Sequence, residues 1–516
     1  MNLRWAPWRS LLRGANLFLV FRGLGHTHGE ASGNAMDMMA PDLLWYEGFQ
    51  GSVEQQKEIK RGIGKLLMQC TRSHDGIAVM YSASSTHLSA FTDGLPKYVD
   101  TLRVFPYLFE DAGYQYRTVS YQQVAEGILS RDDFRVLYMP YCQAISQAEA
   151  VAIKSFVESG GTVIADLRPG VADEHGKAYS HGALDEVFGV RQRTGNAQAL
   201  RGLVRVNQPM GSFRGRIIAT YSDASLQVTT GKAHGQSALP EILKEGRPAG
   251  SCPVAVVNEY GKGRAILFSF SVSEYGAEAG YSRRVQEFLQ AVLSSIGVQP
   301  AITSSNIPGS QVYRYHRGRS DYAGLLRNPA GTDVPGHDHG QNEIDAFKPE
   351  EFTIRLPRES HLYDMRAGRY LGYSDQVKHT EGDVTAFMLA ALPYRVTGID
   401  LHCKTTSPRQ GDVVTVDVRA VIAGGEPADM HVFHLDVIDP EGREVRCLSS
   451  NVVAEDGWCD IPVPFALNDL PGRWRLVVRD VASGVSGQFD FGLQPRLRLR
   501  GVRVDAAPGR RSSIPL

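Results

Sequence analysis

The stretch from Asp75 to about Pro300 constrains the fold most, because apolar strand-like runs alternate there with helical patterns. A strand over Gly76–Ser82 (GIAVMYS) is followed by a helix over Tyr98–Ala112, then by YQYRTVSY and by RVLYMPY at Arg135–Tyr141. A helix over Ser146–Ser159 feeds a fourth strand, GGTVIADLRPG, at Gly160–Gly170. Such alternation predicts βαβ units and an α/β domain with a parallel sheet. Continuous apolar runs within the strands predict a sheet covered on both faces.

Beyond the fourth strand, the region Leu184–Pro253 carries short alternating runs. Pro253–Ser271 reads as a hairpin turning on Tyr260–Gly263, which also accounts for GKGR (Gly261–Arg264) without any phosphate loop. A helix over Tyr281–Ile296 presents Val285, Phe288, Leu289, Val292 and Ile296 as one apolar stripe. From Ala301 to Pro393 the period becomes two, which predicts an antiparallel β domain interrupted by a polar loop at Pro329–Glu343. From Arg395 to Leu493, five short strand patterns separated by turn signals predict an immunoglobulin-like β-sandwich. Upstream, a strand-like piece (Asn16–Gly23), a polar loop (His26–Asp42) and a helix (Val53–Thr71) are too little for a separate core. The expected divisions are 1–74, 75–300, 301–394, 395–494 and a disordered tail at 495–516.

Lys+Arg 55 against Asp+Glu 56 leaves a formal net charge of -1, so no global field favours nucleic acid or an anionic membrane, and neither is expected as a partner. The six cysteines (Cys70, Cys142, Cys252, Cys403, Cys447, Cys459) are scattered, as in a reducing compartment, and a cytoplasmic location is expected. A Cys447–Cys459 bridge across a hairpin stays open as an alternative. The basic MNLRWAPWRSLLRG and apolar ANLFLVF would suit export, but the apolar run is short and ends at Arg22. Neither a signal peptide nor a membrane span is read there.

DGIAVMYS, VSYQQVAEG, VLYMPYCQAIS, FVESGGTVIADLRPGVADEHGK and GALDEVFGV together resemble the trimerisation domain of family 42 glycoside hydrolases, the β-galactosidase type. That domain is similar in fold to class I glutamine amidotransferases, a flavodoxin-like arrangement. NEYGKGRAILFSFS resembles its late strand pair, and HLYDMRAGRYLGYSDQV resembles the small β domain that follows it. WRSLLRGANLFLVFRGLG is similar to the last helix and strand of the (β/α)8 barrel that precedes it, and EIKRGIGKLL to the helix leaving that barrel. The resemblance covers about residues 1–393. It implies a short barrel remnant at the front, a homo-oligomer (a trimer in the family) and carbohydrate as the associated chemistry.

The same resemblance locates the chemistry. A retaining glycosidase needs two carboxyl groups about 5–5.5 Å apart, and in the family they lie on the fourth and seventh barrel strands. This chain aligns from about the eighth, so both glutamates are expected upstream of Met1, and no catalytic residue is assigned. Arg22, His26 and His28 are the candidates for a leftover sugar subsite, beside Glu30, Asp37, Asp42 and Glu47, which otherwise read as solvated loop acids. An amidotransferase nucleophile would be a Cys at a tight strand-to-helix turn, activated by His. Asp166 occupies about that position, and Ser271, Ser273 and Glu274 stand where the His would be. Asp166, Arg168 and Asp173 are therefore expected to satisfy loop backbone groups or ion pairs at the sheet edge. A Cys142–His175 pair is the alternative nucleophile, against a reading of Cys142 as a small buried residue.

The histidine pairs His26/His28 and His337/His339, the latter beside Asp338 and Glu343, lack a closely spaced third strong ligand. No metal and no other cofactor is expected. Trp458, Trp474 and Phe489 are either core residues or a sugar-stacking platform. The function expected is the non-catalytic assembly portion of a β-galactosidase-like glycoside hydrolase. The alternatives are an active hydrolase whose barrel lies elsewhere, and a carbohydrate-binding module in the C-terminal sandwich.

Overall fold

The computed structural model describes residues 4–17, 38–39, 42–45, 47–91, 97–194, 200–223, 226–238, 252–273, 275, 279–304, 310–327, 349–381, 386–405 and 407–496. The chain divides into two compact units, one of Met1–Lys60, Leu67–Arg366 and Tyr370–Pro393, the other of Arg61–Leu66, Ala367–Arg369 and Tyr394–Leu516.

In the first unit the strands Ile77–Tyr81, Tyr116–Ser120, Val136–Met139 and Thr162–Asp166 form where the apolar runs predict them. Their mutual pairing is parallel. Alternate residues enter two separate cores: Ile77, Val79, Val136, Tyr138 and Ile164 on one face, Ala78, Met80, Leu137, Met139, Val163 and Ala165 on the other. This is the doubly covered sheet that continuous apolar strands require. Helices Tyr98–Asp111 and Ala279–Ser295 cover the first face through Phe105, Leu108, Phe109, Phe288 and Leu289. Helix Gln147–Glu158 covers the second through Ile153, Phe156 and Val157. Its start is fixed by a capping box, in which Ser146 accepts from the Glu149 amide and Glu149 accepts from the Ser146 amide.

The parallel sheet expected from the βαβ units is one half of a larger, mixed sheet. Gly263–Phe268 pairs parallel with Thr162–Asp166, but the sheet then continues antiparallel through Cys252–Tyr260, Lys232–Ala238, Leu200–Met210 and Phe213–Ser222. The result is a mixed sheet of nine strands. Tyr260 pairs with Gly263, so the hairpin turns where the sequence places it. Gly261 sits there at φ 59°, and a Cβ would stand 2.5 Å from the Glu158 backbone, which leaves glycine as the residue that fits.

The rest of this unit holds a seven-stranded sheet ordered Thr71–Arg72, Ser310–Arg317, Ser320–Arg327, Ala386–Leu392, Glu350–Asp364 and Thr303–Ser304, with Arg369–Glu381 paired to Glu350–Asp364. Residues on both sides of position 300 therefore lie in one unit. Helix Trp5–Leu12 buries Trp8, Leu11 and Leu12. Tyr315 donates to the carbonyls of Leu11 and Leu12, and the indole of Trp8 donates to Gln55 at 2.7 Å. Among the described residues of the N-terminal piece, Trp8, Leu11, Leu12 and Phe49 are thus covered, while Leu17, Leu43, Leu44 and Trp45 are exposed.

The single helix expected over Val53–Thr71 is broken. Glu47–Glu58 and Gly64–Met68 are helical, Ile59–Ile63 is a π turn between them, and Thr71–Arg72 is a strand. Gly62 at φ 122° makes the break, a conformation that costs other residues dearly.

The second unit is a pair of antiparallel sheets around one core. Val396–Cys403, Val413–Ile422 and Trp458–Pro464 form one, and Ser450–Ala454, His431–Ile438, Gly472–Asp480 and Ser486–Leu493 form the other. Val414, Val416 and Val418 from the first meet Phe433, Leu435 and Trp474 from the second. Five of these seven strands were legible as patterns; Val396–Cys403 and Ser450–Ala454 were not. A buried relay runs from Tyr394 through His431 to Asp480 at 3.0 and 2.9 Å. Burial opposes charge on the His431 ring, but the Asp480 carboxylate outweighs it and raises its pKa.

Candidate functional site

The carboxyl ends of the parallel strands are where α/β folds place ligands and nucleophiles. Here that edge is built from Met139–Cys142, Asp166–Arg168 and Ser269–Ser273. Backbone strain marks it: Tyr141, Leu167 and Arg168 have φ of 47°, 35° and 62°. Asp166 is fully buried and accepts a hydrogen bond from the Tyr141 amide. Burial pushes its carboxyl up to about 7, although the Tyr141 and Val272 amides pull the other way. Arg168 is buried too, donates to the Arg193 carbonyl at 2.9 Å and faces Asp223 at 4.0 Å. Asp173 accepts from the amides of His175 and Lys177 at 3.0 and 2.9 Å, closing its own loop. Ser271 accepts from the Ser273 amide at 3.1 Å. These polar side chains serve the edge internally.

The proposed Cys142–His175 pair does not form. Cys142 is buried, its thiol lies 3.5 Å from the Pro140 carbonyl, and burial together with Asp166 pushes its pKa well up. The His175 side chain is 84% exposed and faces Glu174. Thiolate, not thiol, is the nucleophile, so this cysteine is chemically quiet. Alkylation of the native protein is expected to mark exposed Cys447 and to spare Cys142 until denaturant is added, as intact-mass measurement with peptide mapping would show. Cys447 and Cys459 are both free, so the bridge left open between them is absent.

Arg22, His26 and His28 lie outside the described residues, as do Glu30, Asp37, His337, Asp338, His339 and Glu343. Asp42 is exposed and accepts from the Leu44 amide, as a loop acid does. Among the described residues, no group of three or more His, Cys, Asp or Glu is arranged to hold a metal ion. A cleft of about 500 Å³ lies on the outside of the α/β layer, lined by residues that include Ala125, Leu129, Ala148, Val151 and Ser155. Its lining carries no ionisable side chain, so it offers neither a carboxylate pair nor a base.

Two buried carboxylates with raised pKa values predict a definite pH response. Burial raises Asp166 and Asp111 to about 7 from an ordinary 3.8, Asp111 while it accepts from Tyr275 and Gln311 at 2.7 Å. The folded state then holds protons that the unfolded chain has released. Their contribution is complete below the unfolded value and is lost as pH rises through about 7. The urea midpoint is expected to fall between about pH 5 and about pH 8, and to fall less in Asp166→Asn.

Residues 121–296 match the family described as the beta-galactosidase trimerisation domain. The chain is similar to the C-terminal portion of a family 42 glycoside hydrolase. It shares 25% identity over 262 residues with "Beta-galactosidase LacZ" of Heyndrickxia coagulans, covering 47% of this chain and 35% of that protein. Its fold is that of a beta-galactosidase from Bacillus circulans sp. alkalophilus at a TM-score of 0.54 and 15% identity, over 74% of this chain and 51% of the other. A catalytic mutant of Gan42B, a GH42 beta-galactosidase from G. stearothermophilus, gives a TM-score of 0.54 and 16% identity, over 75% and 50%. The chain thus spans about a third of the curated relative and about half of each of these solved ones. Among the described residues, no helix is long and apolar enough to cross a membrane.

Proposed function

We propose that this chain is the assembly portion of a β-galactosidase-like glycoside hydrolase, holding copies together as a homotrimer without catalysing hydrolysis by itself. The match of residues 121–296 to a trimerisation domain carries the reading. The divisions 75–300, 301–394 and 395–494 serve as the assembly domain and two β domains behind it, with 1–74 as a barrel edge and 495–516 as a tail. The first of these has a flavodoxin- and amidotransferase-like core in which Asp166 marks a degenerate nucleophile position. The buried, internally bonded carboxyl edge supports that view, since it turns a usual reaction site into structure. The 395–494 unit is immunoglobulin-like, supported by its three-plus-four strand arrangement. Its setting is cytoplasmic, supported by the free cysteines.

The competing reading is an active galactosidase, with Arg22, His26 and His28 at a sugar subsite and the remaining barrel supplied elsewhere. It is supported by the chain's coverage of half of each solved relative. A panel of nitrophenyl glycosides separates the two. The assembly reading expects no turnover by the purified chain; turnover abolished by one carboxylate substitution would replace it with the hydrolase.

A further inference from the structure

We infer that the outer face of the three-stranded sheet in the second unit binds a neutral oligosaccharide, with Trp458 as the stacking platform. Of the three aromatics that sequence reading nominates, Trp474 is 2% exposed and Phe489 packs against the same core, but Trp458 is 43% exposed. It opens the strand Trp458–Pro464, in which exposed and buried residues alternate without a break, so it belongs to the solvent face. An indole in that place contributes little to the core and leaves apolar area in water. It is nevertheless held: its Nε1 donates to Asp417 at 2.8 Å, which fixes the ring plane.

The register supplies the groups a sugar needs around such a ring. Arg419 lies directly opposite Trp458, and Asp417 lies between Asp460 on one side and His402 on the other. Adjacent strands stand about 4.8 Å apart, which places these side chains within the span of one or two pyranose rings. The Lys404 ammonium bonds Asp460 at 2.6 Å, faces Asp417 at 3.6 Å and stands 5.6 Å from the centre of the Trp458 ring. A pyranose presents a C–H face that packs on an aromatic ring and a rim of hydroxyls that both donate and accept. Carboxylates would take the donated hydrogens, and Lys404, Arg419 and His402 would supply donors in return. Both signs of charge are interspersed, so the face suits neither a polyanion such as nucleic acid nor an anionic lipid surface. This inference stands independently of the assembly reading.

The full chain is titrated calorimetrically with three probes: β-1,4-linked galactotetraose, cellotetraose and mannotetraose. At least one is expected to bind, and Trp458→Ala to weaken it about tenfold or more, while Trp458→Phe retains most of the affinity. Asp460→Asn, at the hydroxyl-binding rim, is expected to weaken it less than Trp458→Ala. An unchanged melting temperature for the exposed-site variants shows that the fold is intact. Absence of binding by all three probes at millimolar concentration overturns the inference, as does affinity untouched by Trp458→Ala. A drop in particle mass in Trp458→Ala would also overturn it, by assigning this ring to contact with a second copy.

Discussion

Replacing Glu110 with alanine is expected to destabilise the first unit by about 3–5 kcal/mol. Glu110 is fully buried near the end of helix Tyr98–Asp111. The Nε of Arg13 donates to both its oxygens at 3.1 Å, the Tyr313 hydroxyl donates to it at 3.0 Å, and Arg72 stands at 3.8 Å. One carboxylate therefore ties the N-terminal segment and the Ser310–Arg317 strand to the α/β layer, all inside one unit. Burial works against the charge on Arg13, but Glu110 holds its pKa above the ordinary value. Truncation leaves that guanidinium without its carboxylate, which is the costly way to break a buried pair, while the Tyr313 hydroxyl keeps the Gln311 oxygen at 2.8 Å as its other acceptor. Glu110→Gln keeps an oxygen acceptor of the same shape and is expected to cost less. Urea denaturation followed by far-ultraviolet circular dichroism measures both, and a loss under about 1 kcal/mol in the alanine variant would show that the network is structurally idle.

Trp474→Ala is the second large effect, at about 3–5 kcal/mol within the sandwich. Its ring meets Phe465 edge-on with centres 4.8 Å apart, and its Nε1 donates to the Leu470 carbonyl at 2.8 Å. Both the packing and the hydrogen bond vanish together. Trp458→Ala, on the outer face, is expected to change stability by less than about 1 kcal/mol. The contrast separates the two tryptophans experimentally: one builds the core, and the other is available for binding. Equal losses would mean that the outer ring is structural after all.

What could be read from the residues follows the range of the forces involved. The first four strands and their helices were legible because each apolar run and each stripe, such as Val285–Phe288–Leu289–Val292, is a local signal. The antiparallel half of the mixed sheet was not, since Leu200–Met210 and Lys232–Ala238 join it through partners far away in sequence. The break at Gly62 was hidden by the helical spacing of Ile59, Ile63, Leu66 and Leu67, which continues through it. Asp166 could be placed from the family pattern, but its role as a buried acceptor for Tyr141 depends on a strained turn that spacing does not encode. Cys142 and His175 look like a pair in sequence and differ completely in burial. The outer face inferred to bind sugar was only half visible: Trp458 could be named, whereas Asp417, Asp460, Arg419 and His402 gather around it only through strand register.

The central claim is that residues 121–296 assemble copies of this chain. Light scattering coupled to size-exclusion chromatography tests it most directly. The account predicts a particle with the mass of three chains of 56.6 kDa, stable on dilution through the micromolar range. A particle of 56.6 kDa under the same conditions would contradict it.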